Sequence, residues 1–92
     1  MIDRVEVRRG RYFDSVRLMQ ASAAAEAAPG VERALVAMAT DLNRSLLAGL
    51  GFAAPEGIGP DDLVVAVRAT SDEAAAAALA AADAALTPPA AS

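Results

Sequence analysis

Three stretches of the chain have the hydrophobic pattern of β-strands. Residues 2–9 alternate between apolar and charged side chains, with Val5 and Val7 on one side, which is typical of a strand with one buried face. Residues 31–40 are almost continuously apolar, which favours a strand covered on both faces, and residues 63–69 are predicted to form the third strand. Gly10 interrupts the first pattern, so we expect the first strand to end there.

Apolar residues also recur every three or four positions in three segments, which predicts helices. These positions are Val16, Met19 and Ala23, then Leu42, Leu46 and Leu50, and finally Ala75, Leu79, Ala82 and Leu86. Residues that commonly cap helix N-termini precede each segment, namely Asp14, then Thr40 or Asp41, and then Thr70 with Glu73. Pro29-Gly30 is expected to end the first helix, and the glycine- and proline-containing residues 52–62 predict an irregular loop.

The predicted order β-α-β-α-β-α indicates a small α/β domain with a three-stranded, mainly parallel sheet, because strands that alternate with helices are usually joined by right-handed crossovers. A ferredoxin-like α+β variant stays open as the alternative, since residues 52–62 leave room for an antiparallel third strand. We place a single domain over residues 1–86. Residues 87–92 contain Pro88 and Pro89 and are expected to be a flexible tail or the stump of a linker.

The composition excludes most chemistry that the chain could perform alone. Its 92 residues include no cysteine and no histidine, so it lacks thiolate metal ligands, a phosphohistidine and the usual general base. All eight cations are arginines, which leaves no lysine for a Schiff base. The adjacent Asp61 and Asp62 are interpreted as a turn and strand entry. We therefore expect no catalytic residue, metal or cofactor in this chain alone, and no enzymatic activity.

Charge and hydropathy narrow the choice of partners. The net charge is −4 and aromatic residues make up 3% of the chain, which disfavours binding to nucleic acid. No apolar run approaches the roughly 20 residues that a membrane-spanning helix needs, and the N-terminus does not resemble a signal peptide. These features predict a cytoplasmic protein without a membrane partner. Alanine supplies 26 residues and buries little area, so a partner or a second copy could complete the core.

The segment from Arg8 to Ser15 is the main candidate for a binding site. It runs from the end of a strand into a helix N-terminus, a place where free N–H groups and the helix dipole favour anions. Residues 1–17 carry five arginines against three carboxylates, which points to an anion or an acidic protein surface. A structural cap at Asp14, or a solvated strand face, is the competing interpretation. In a parallel sheet, Arg68 would lie near the same edge.

These residues also carry a likeness to a known family. The run Arg9–Met19 resembles the opening of FdrA proteins, which are related to the α subunit of succinyl-CoA synthetase. The resemblance continues through Gly30-Val31-Glu32, Met38-Ala39-Thr40 with Asn43, Gly59–Leu63 and Val67–Ala69. The family usually has glycine where this chain has Ala39.

What the resemblance implies is a role beside a larger protein. FdrA proteins follow this domain with a CoA-binding Rossmann-type domain and a ligase-like domain, and they are linked to an oxamate carbamoyltransferase assembly. This chain would then be a non-catalytic subunit or excised domain that docks onto an FdrA-like CoA-ligase or carbamoyltransferase subunit. With the likeness included, the candidate anion- or partner-binding residues are Arg8, Arg9, Gly10, Tyr12, Asp14, Ser15, Thr40, Asn43 and Arg68.

Two other functions stay open on the sequence. One is a regulatory domain that senses a small anionic molecule near Arg9 and Asp14. The other is a self-associating structural module in which alanine-faced helices pack between protomers, so a second copy of the chain is also a candidate partner. Co-purification separates docking from the other two functions, and ligand-induced thermal shifts separate sensing from self-association.

Overall fold

All six predicted elements are present in a computed structural model, which describes residues 1–86. The predicted tail at residues 87–92 lies outside the described residues. The elements in chain order are β1 Ile2–Arg8, α1 Ser15–Ala27, β2 Val31–Met38, α2 Asp41–Gly49, β3 Leu63–Ala69 and α3 Asp72–Leu86. The alternating and continuous apolar runs therefore identified the strands within two residues of their observed ends.

Two of the predicted helix caps are confirmed. A carboxylate oxygen of Asp14 accepts a hydrogen bond from the main-chain N–H of Arg17 at 2.8 Å, which satisfies one of the free donors at the start of α1. At α2 the hydroxyl oxygen of Thr40 accepts from the N–H of Asn43 at 3.3 Å. Thr40 is thus the cap, and Asp41 is the first residue of the helix.

The third helix is capped one residue later than predicted. The hydroxyl oxygen of Ser71 accepts from the N–H of Ala74 at 3.1 Å, so the cap is Ser71 rather than Thr70. Thr70 instead binds the turn before β2, where its N–H donates to the carbonyl oxygen of Gly30 at 2.9 Å. This bond connects the start of β2 to the end of β3.

The sheet has the strand order β1-β3-β2, and β3 runs antiparallel to both neighbours. The outer strands β1 and β2 are parallel to each other and connected through α1, which is the split β-α-β arrangement of ferredoxin-like folds. At its two ends β3 pairs with both neighbours, as Leu63 with Arg8 and Met38, and as Ala69 with Ile2 and Val31. We call these the Leu63 end and the Ala69 end of the sheet.

The expected mainly parallel sheet is therefore wrong, and the ferredoxin-like alternative describes the fold. Helix α2 carries the chain to the Ala69 end, where the carbonyl oxygen of Leu50 accepts from the guanidinium of Arg68 at 3.2 Å. Residues 51–62 then return to the Leu63 end, where the carbonyl oxygen of Asp62 accepts from the N–H of Ala39 at 2.9 Å. Because this loop retraces the sheet, β3 starts beside the end of β2 and must run antiparallel to it.

The sheet is covered on both faces. Helices α1 and α3 pack on one face over Val36, Val65 and Val67, and they meet each other through alanines. Those fully buried alanines are Ala21, Ala25, Ala75, Ala78 and Ala82. Helix α2 and the loop after it cover the second face through Leu47, Phe52 and Ile58. These side chains pack against Val64 and Ala66 of β3. The buried alanine faces of α1 and α3 therefore pack against each other within the chain.

Within residues 1–86, none of the helices combines the length and the apolar character that crossing a membrane requires. The longest of them, α3, has 15 residues, and acidic side chains lie in its first turn. At 1.5 Å per residue such a helix is about 22 Å long, which is shorter than the hydrocarbon core of a bilayer.

Candidate functional site

Asp62 fastens the loop after β1 to the loop before β3, at the Leu63 end of the sheet. One of its carboxylate oxygens accepts from the N–H of Gly10 at 2.9 Å, and the other accepts from the N–H of Gly59 at 3.0 Å. The guanidinium of Arg9 lies 3.7 Å from the same carboxylate and donates to the carbonyl oxygen of Gly57 at 3.2 Å. The hydrogen bonds from Gly59 and Gly10, followed by the charge of Arg9, lower the pKa of Asp62.

Sequence reasoning assigned Asp62 to a turn and did not place it at the candidate site. A signal was present, because aspartate in a glycine-containing turn often accepts main-chain N–H groups. Gly10 has a φ of +68°, a conformation that turns its N–H toward the carboxylate without the steric cost that a side chain would bring. Gly10 lies 52 residues before Asp62 in the sequence, so the hydrogen bond between them could not be inferred from a local pattern.

Replacing Asp62 with asparagine should lower the melting temperature at neutral pH, because the amide offers one acceptor where two N–H groups need one each. The lowered pKa means that Asp62 stabilises the fold above the ordinary carboxyl pKa of about 4, and that this contribution is lost as the pH falls through the folded-state pKa. The difference in melting temperature between wild type and Asp62→Asn should therefore become smaller at acidic pH. Thermal melts from pH 7 to pH 2.5 measure it.

Asp61→Asn is the matched control for this experiment. Asp61 is exposed, and its side chain makes no hydrogen bond or ion pair with the part of the chain that the structure describes. We expect Asp61→Asn to melt like wild type at every pH. Equal melting temperatures for Asp62→Asn and Asp61→Asn at pH 7 would show that the tie between the two loops contributes nothing to stability.

The other polar candidates near the Leu63 end have local structural roles. Asp14 and Thr40 are helix caps, as described above. The amide nitrogen of Asn43 donates to the carbonyl oxygen of Met38 at 2.8 Å, which satisfies the last residue of β2. Ser15 is exposed at the first position of α1, and Tyr12 is 75% exposed in the loop before it. The structure thus brings these residues to one end of the sheet without assembling a catalytic set.

The arginines at this end differ in how far their charge is compensated. The guanidinium of Arg8 binds Glu6 at 2.8 Å and Asp83 at 3.1 Å, and these carboxylates raise its pKa, Glu6 most strongly. Arg11 stacks over the ring of Phe13, 5.5 Å from its centre, and makes no ion pair within the described residues. Arg11 is therefore a cation at this end that is able to receive an external anion.

Arg8 and Arg11 share a cavity of about 240 Å³ that lies between β1 and the end of α3. Its other walls are Phe13, Leu63, Asp83 and Leu86. The Asp83 carboxylate opposes a bound anion, and the exposed surface of the cavity is mainly polar. The cavity can accommodate a small polar ligand with Arg11 as its anchor.

Arg68 lies at the opposite end of the sheet from these residues, contrary to the expectation for a parallel strand. Its guanidinium binds both carboxylate oxygens of Asp3, at 2.7 and 3.0 Å, and stacks over Phe52 with 5.0 Å to the ring centre. The hydrogen bond from Arg68 lowers the pKa of Asp3. Because β3 is antiparallel, Arg68 fastens β1 to the loop after α2 and cannot share a site with Arg9.

An apolar groove between α1 and the edge strand β2 is the most open hydrophobic surface near these residues. Its volume is about 450 Å³. Its walls are mainly apolar and include Leu18, Met19, Ala23, Leu35 and Ala37, with Ser15, Ser22 and Glu26 also bordering it. Met19 is 71% exposed, and the neighbouring Val16 is 65% exposed. The helix face predicted from Val16, Met19 and Ala23 is thus the outward one, since the buried residues of α1 are Ala21 and Ala25.

Comparison with known proteins relates the chain to one family and to one curated protein. The family described as "AllF, heavy metal-associated domain" matches over residues 1–92. "Uncharacterized protein YahF" of Escherichia coli (strain K12) is 45% identical over 53 residues, which are 58% of this chain and 10% of that protein. The match thus spans about a tenth of the length of this curated relative. No solved structure is significantly similar to the chain.

The side chains present do not fit the heavy metal in that family description. Soft metals prefer thiolate and imidazole ligands, and the chain has no cysteine and no histidine. Of its three methionines, Met38 is buried under the helices while Met19 lies on the outer surface. Residues 1–86 also contain no group of three or more carboxylates placed to hold an ion. We therefore derive no metal-dependent step for this chain.

Proposed function

Because this chain belongs to the AllF heavy metal-associated domain family, we propose that it is a non-catalytic docking domain of an FdrA-like assembly. The groove between α1 and β2 would receive apolar side chains of an FdrA-like CoA-ligase or carbamoyltransferase subunit. The chain would act in the cytoplasm with that subunit and without a cofactor of its own. The exposed pair Val16 and Met19 beside this groove is the observation that carries the proposal.

Large apolar residues are exposed on both α1 and α2, where Leu42 and Leu46 are also exposed, and the pair on α1 borders the groove. The residues larger than alanine that could form the core are few, and the structure leaves two of them on the outer face of α1 beside a concave apolar surface. Exposed apolar patches with a concave shape commonly mark protein interaction sites. The relative YahF supports the same interpretation, since its matching segment is part of a protein about ten times as long as that segment.

Binding of a small anion is the second candidate function, and Arg11 is the observation that favours it. Its guanidinium faces the cavity near Arg8 without a carboxylate partner among the described residues. We place this function second because Glu6 and Asp83 already compensate Arg8, and because Asp83 forms part of the cavity wall. An acidic side chain of the docked subunit could use Arg11, so the two functions are compatible.

Co-expression of the chain with an FdrA-like subunit from the same organism tests the docking proposal. Wild type should co-purify with that subunit, and Met19→Glu should weaken binding at least about tenfold, because a carboxylate in the groove must be desolvated. Gln20→Glu is the matched control, since it adds the same charge to α1 outside the groove walls. It should bind like wild type.

Thermal melts of the free variants show whether each substitution leaves the fold intact. Failure of the folded wild type to bind the subunit would refute the docking proposal. Equal binding by wild type and Met19→Glu would place the interface outside the groove.

A further inference from the structure

The two edges of the sheet differ in whether their main-chain groups are occupied. At the β2 edge, the Ser22 hydroxyl accepts from the N–H of Val36 at 2.9 Å and donates to its carbonyl oxygen at 3.2 Å. The carbonyl oxygen of Met38 accepts from Asn43 and from the N–H of Thr40. Helix α1 also lies along this strand. The β2 edge is thus closed to a further strand.

The main-chain N–H and carbonyl groups of Val36 point away from the sheet, and this determines which residues of β1 have main-chain groups that point away from it. In an antiparallel pair the residues alternate between bonding across the ladder and pointing away from it. Val36 points away from β3, so Val65 opposite it must bond to β1, where its partner is Glu6. The N–H and carbonyl groups of the residues next to Glu6 therefore point outward, and the full set with outward groups is Asp3, Val5 and Val7.

This β1 edge is open. No hydrogen bond within residues 1–86 reaches the main-chain groups of Asp3, Val5 or Val7 from outside the sheet. Four of its seven residues are charged, which is one of the usual devices that block an edge, but the strand contains no proline and its register with β3 is unbroken. A regular strand of seven residues, three of which have free main-chain donors and acceptors, is a template for another strand.

We infer that β1 pairs with β1 of a second copy of this chain, antiparallel across a two-fold axis at Val5, to give a continuous six-stranded sheet. The inference does not depend on the docking proposal, which concerns the opposite edge. A two-fold axis must pass through a residue, rather than between two residues, for outward main-chain groups to meet outward main-chain groups of the second copy. An axis at Val5 pairs all seven residues of β1, from Ile2 opposite Arg8 to Arg8 opposite Ile2.

Charge selects this register over its neighbours. With the axis at Val5, Arg4 of each copy lies opposite Glu6 of the other, in the closely spaced pairs where side chains interact most strongly. An axis at Arg4 would place the Arg4 side chains of the two copies opposite each other, and an axis at Glu6 would place the two Glu6 side chains opposite each other. Both arrangements bring like charges together and are unfavourable. Within the chain, Arg4 pairs with Asp72 and Glu6 pairs with Arg8, each at 2.8 Å. The side chains of Arg4 and Glu6 are still 45% and 40% exposed, so a second copy can reach both of them.

Paired charge reversals test the inference directly. In the full chain, Arg4→Glu leaves two acidic side chains at the edge, and Glu6→Arg leaves two basic ones. Wild type should sediment with twice the mass of one chain, and each variant alone should sediment as a monomer. An equimolar mixture of the two variants should regain the dimer mass, because every cross-strand pair is then of unlike charge. Circular dichroism checks that each variant is folded.

Amide exchange locates the interface independently of the variants. The N–H groups of Val5 and Val7 should exchange more slowly as the concentration of wild type rises, while the N–H of Glu6, which bonds to β3, should be protected at all concentrations. A wild type that stays monomeric would overturn the inference. So would a dimer that both reversals leave intact, because its interface would then lie elsewhere, or edge protection that appears only when an FdrA-like subunit is added.

Discussion

Replacing Leu47 with alanine is expected to lower the free energy of unfolding by about 2–5 kcal/mol, the range measured for large-to-small changes in protein cores. Leu47 is 1% exposed and is the only buried residue of α2. It packs with Phe52 and Ile58 against the face of the sheet that α1 and α3 do not cover. The truncation therefore leaves a cavity and also removes the main anchor of α2. Chemical denaturation followed by circular dichroism measures the loss.

Leu42→Ala is the matched control in the same helix. Leu42 is 71% exposed, so the same truncation there should change the free energy of unfolding by no more than about 0.5 kcal/mol. A small effect of Leu47→Ala would mean that α2 does not cover the second face. A large effect of Leu42→Ala would mean that the outer face of α2 is covered in solution, for instance by a second copy of the chain.

The elements of this fold were predictable because each has a local cause. The alternation around Val5 and Val7 identified β1, and the caps at Asp14 and Thr40 identified two helix starts. The direction of β3 was not predictable in the same way. It depends on whether residues 51–62 retrace the sheet, and the contact that fixes this lies between Ala39 and Asp62. A pattern read along the chain contains no signal for such a contact.

The candidate site was predictable only in part, for a related reason. The arginines around Gly10 were identified from their position between a strand and a helix cap, but their pairing was not. Arg8 is compensated by Asp83, 75 residues away, and Arg11 is left as the cation of the cavity. The groove was missed because Val16 and Met19 form an ordinary apolar helix face. Only the structure shows that alanines occupy the inward side and leave that face in solvent.

The two proposed interfaces lie on opposite edges of the sheet and can operate together. Strand order β1-β3-β2 places β1 at one edge, and the groove of α1 lies along β2 at the other. Pairing through β1 would therefore leave both grooves of the dimer free and facing outward. A dimer of this kind could hold two FdrA-like subunits, and substitutions at Met19 should leave the pairing of Arg4 with Glu6 intact.

Replacing Gly30 with alanine should destabilise the fold through two separable costs. Gly30 has a φ of +83°, where a residue with a side chain costs about 1–2 kcal/mol. A Cβ at this position would also lie 2.9 Å from the Cβ of Ala74 and 2.9 Å from the hydroxyl oxygen of Thr70. The turn cannot relax freely, because the N–H of Thr70 donates to the carbonyl oxygen of Gly30. We expect a total loss above about 2 kcal/mol in denaturant unfolding.

Gly57→Ala separates the two costs of the Gly30 substitution. Gly57 has a φ of +76°, but a Cβ there would meet no atom within 4 Å, so its replacement carries the conformational cost alone. The difference between the two variants therefore measures how closely the turn at Gly30 approaches the start of α3. Equal losses would show that α3 can shift at no cost. A larger loss at Gly30 would explain glycine there by the contact between this turn and the helix, since the backbone conformation is shared with Gly57.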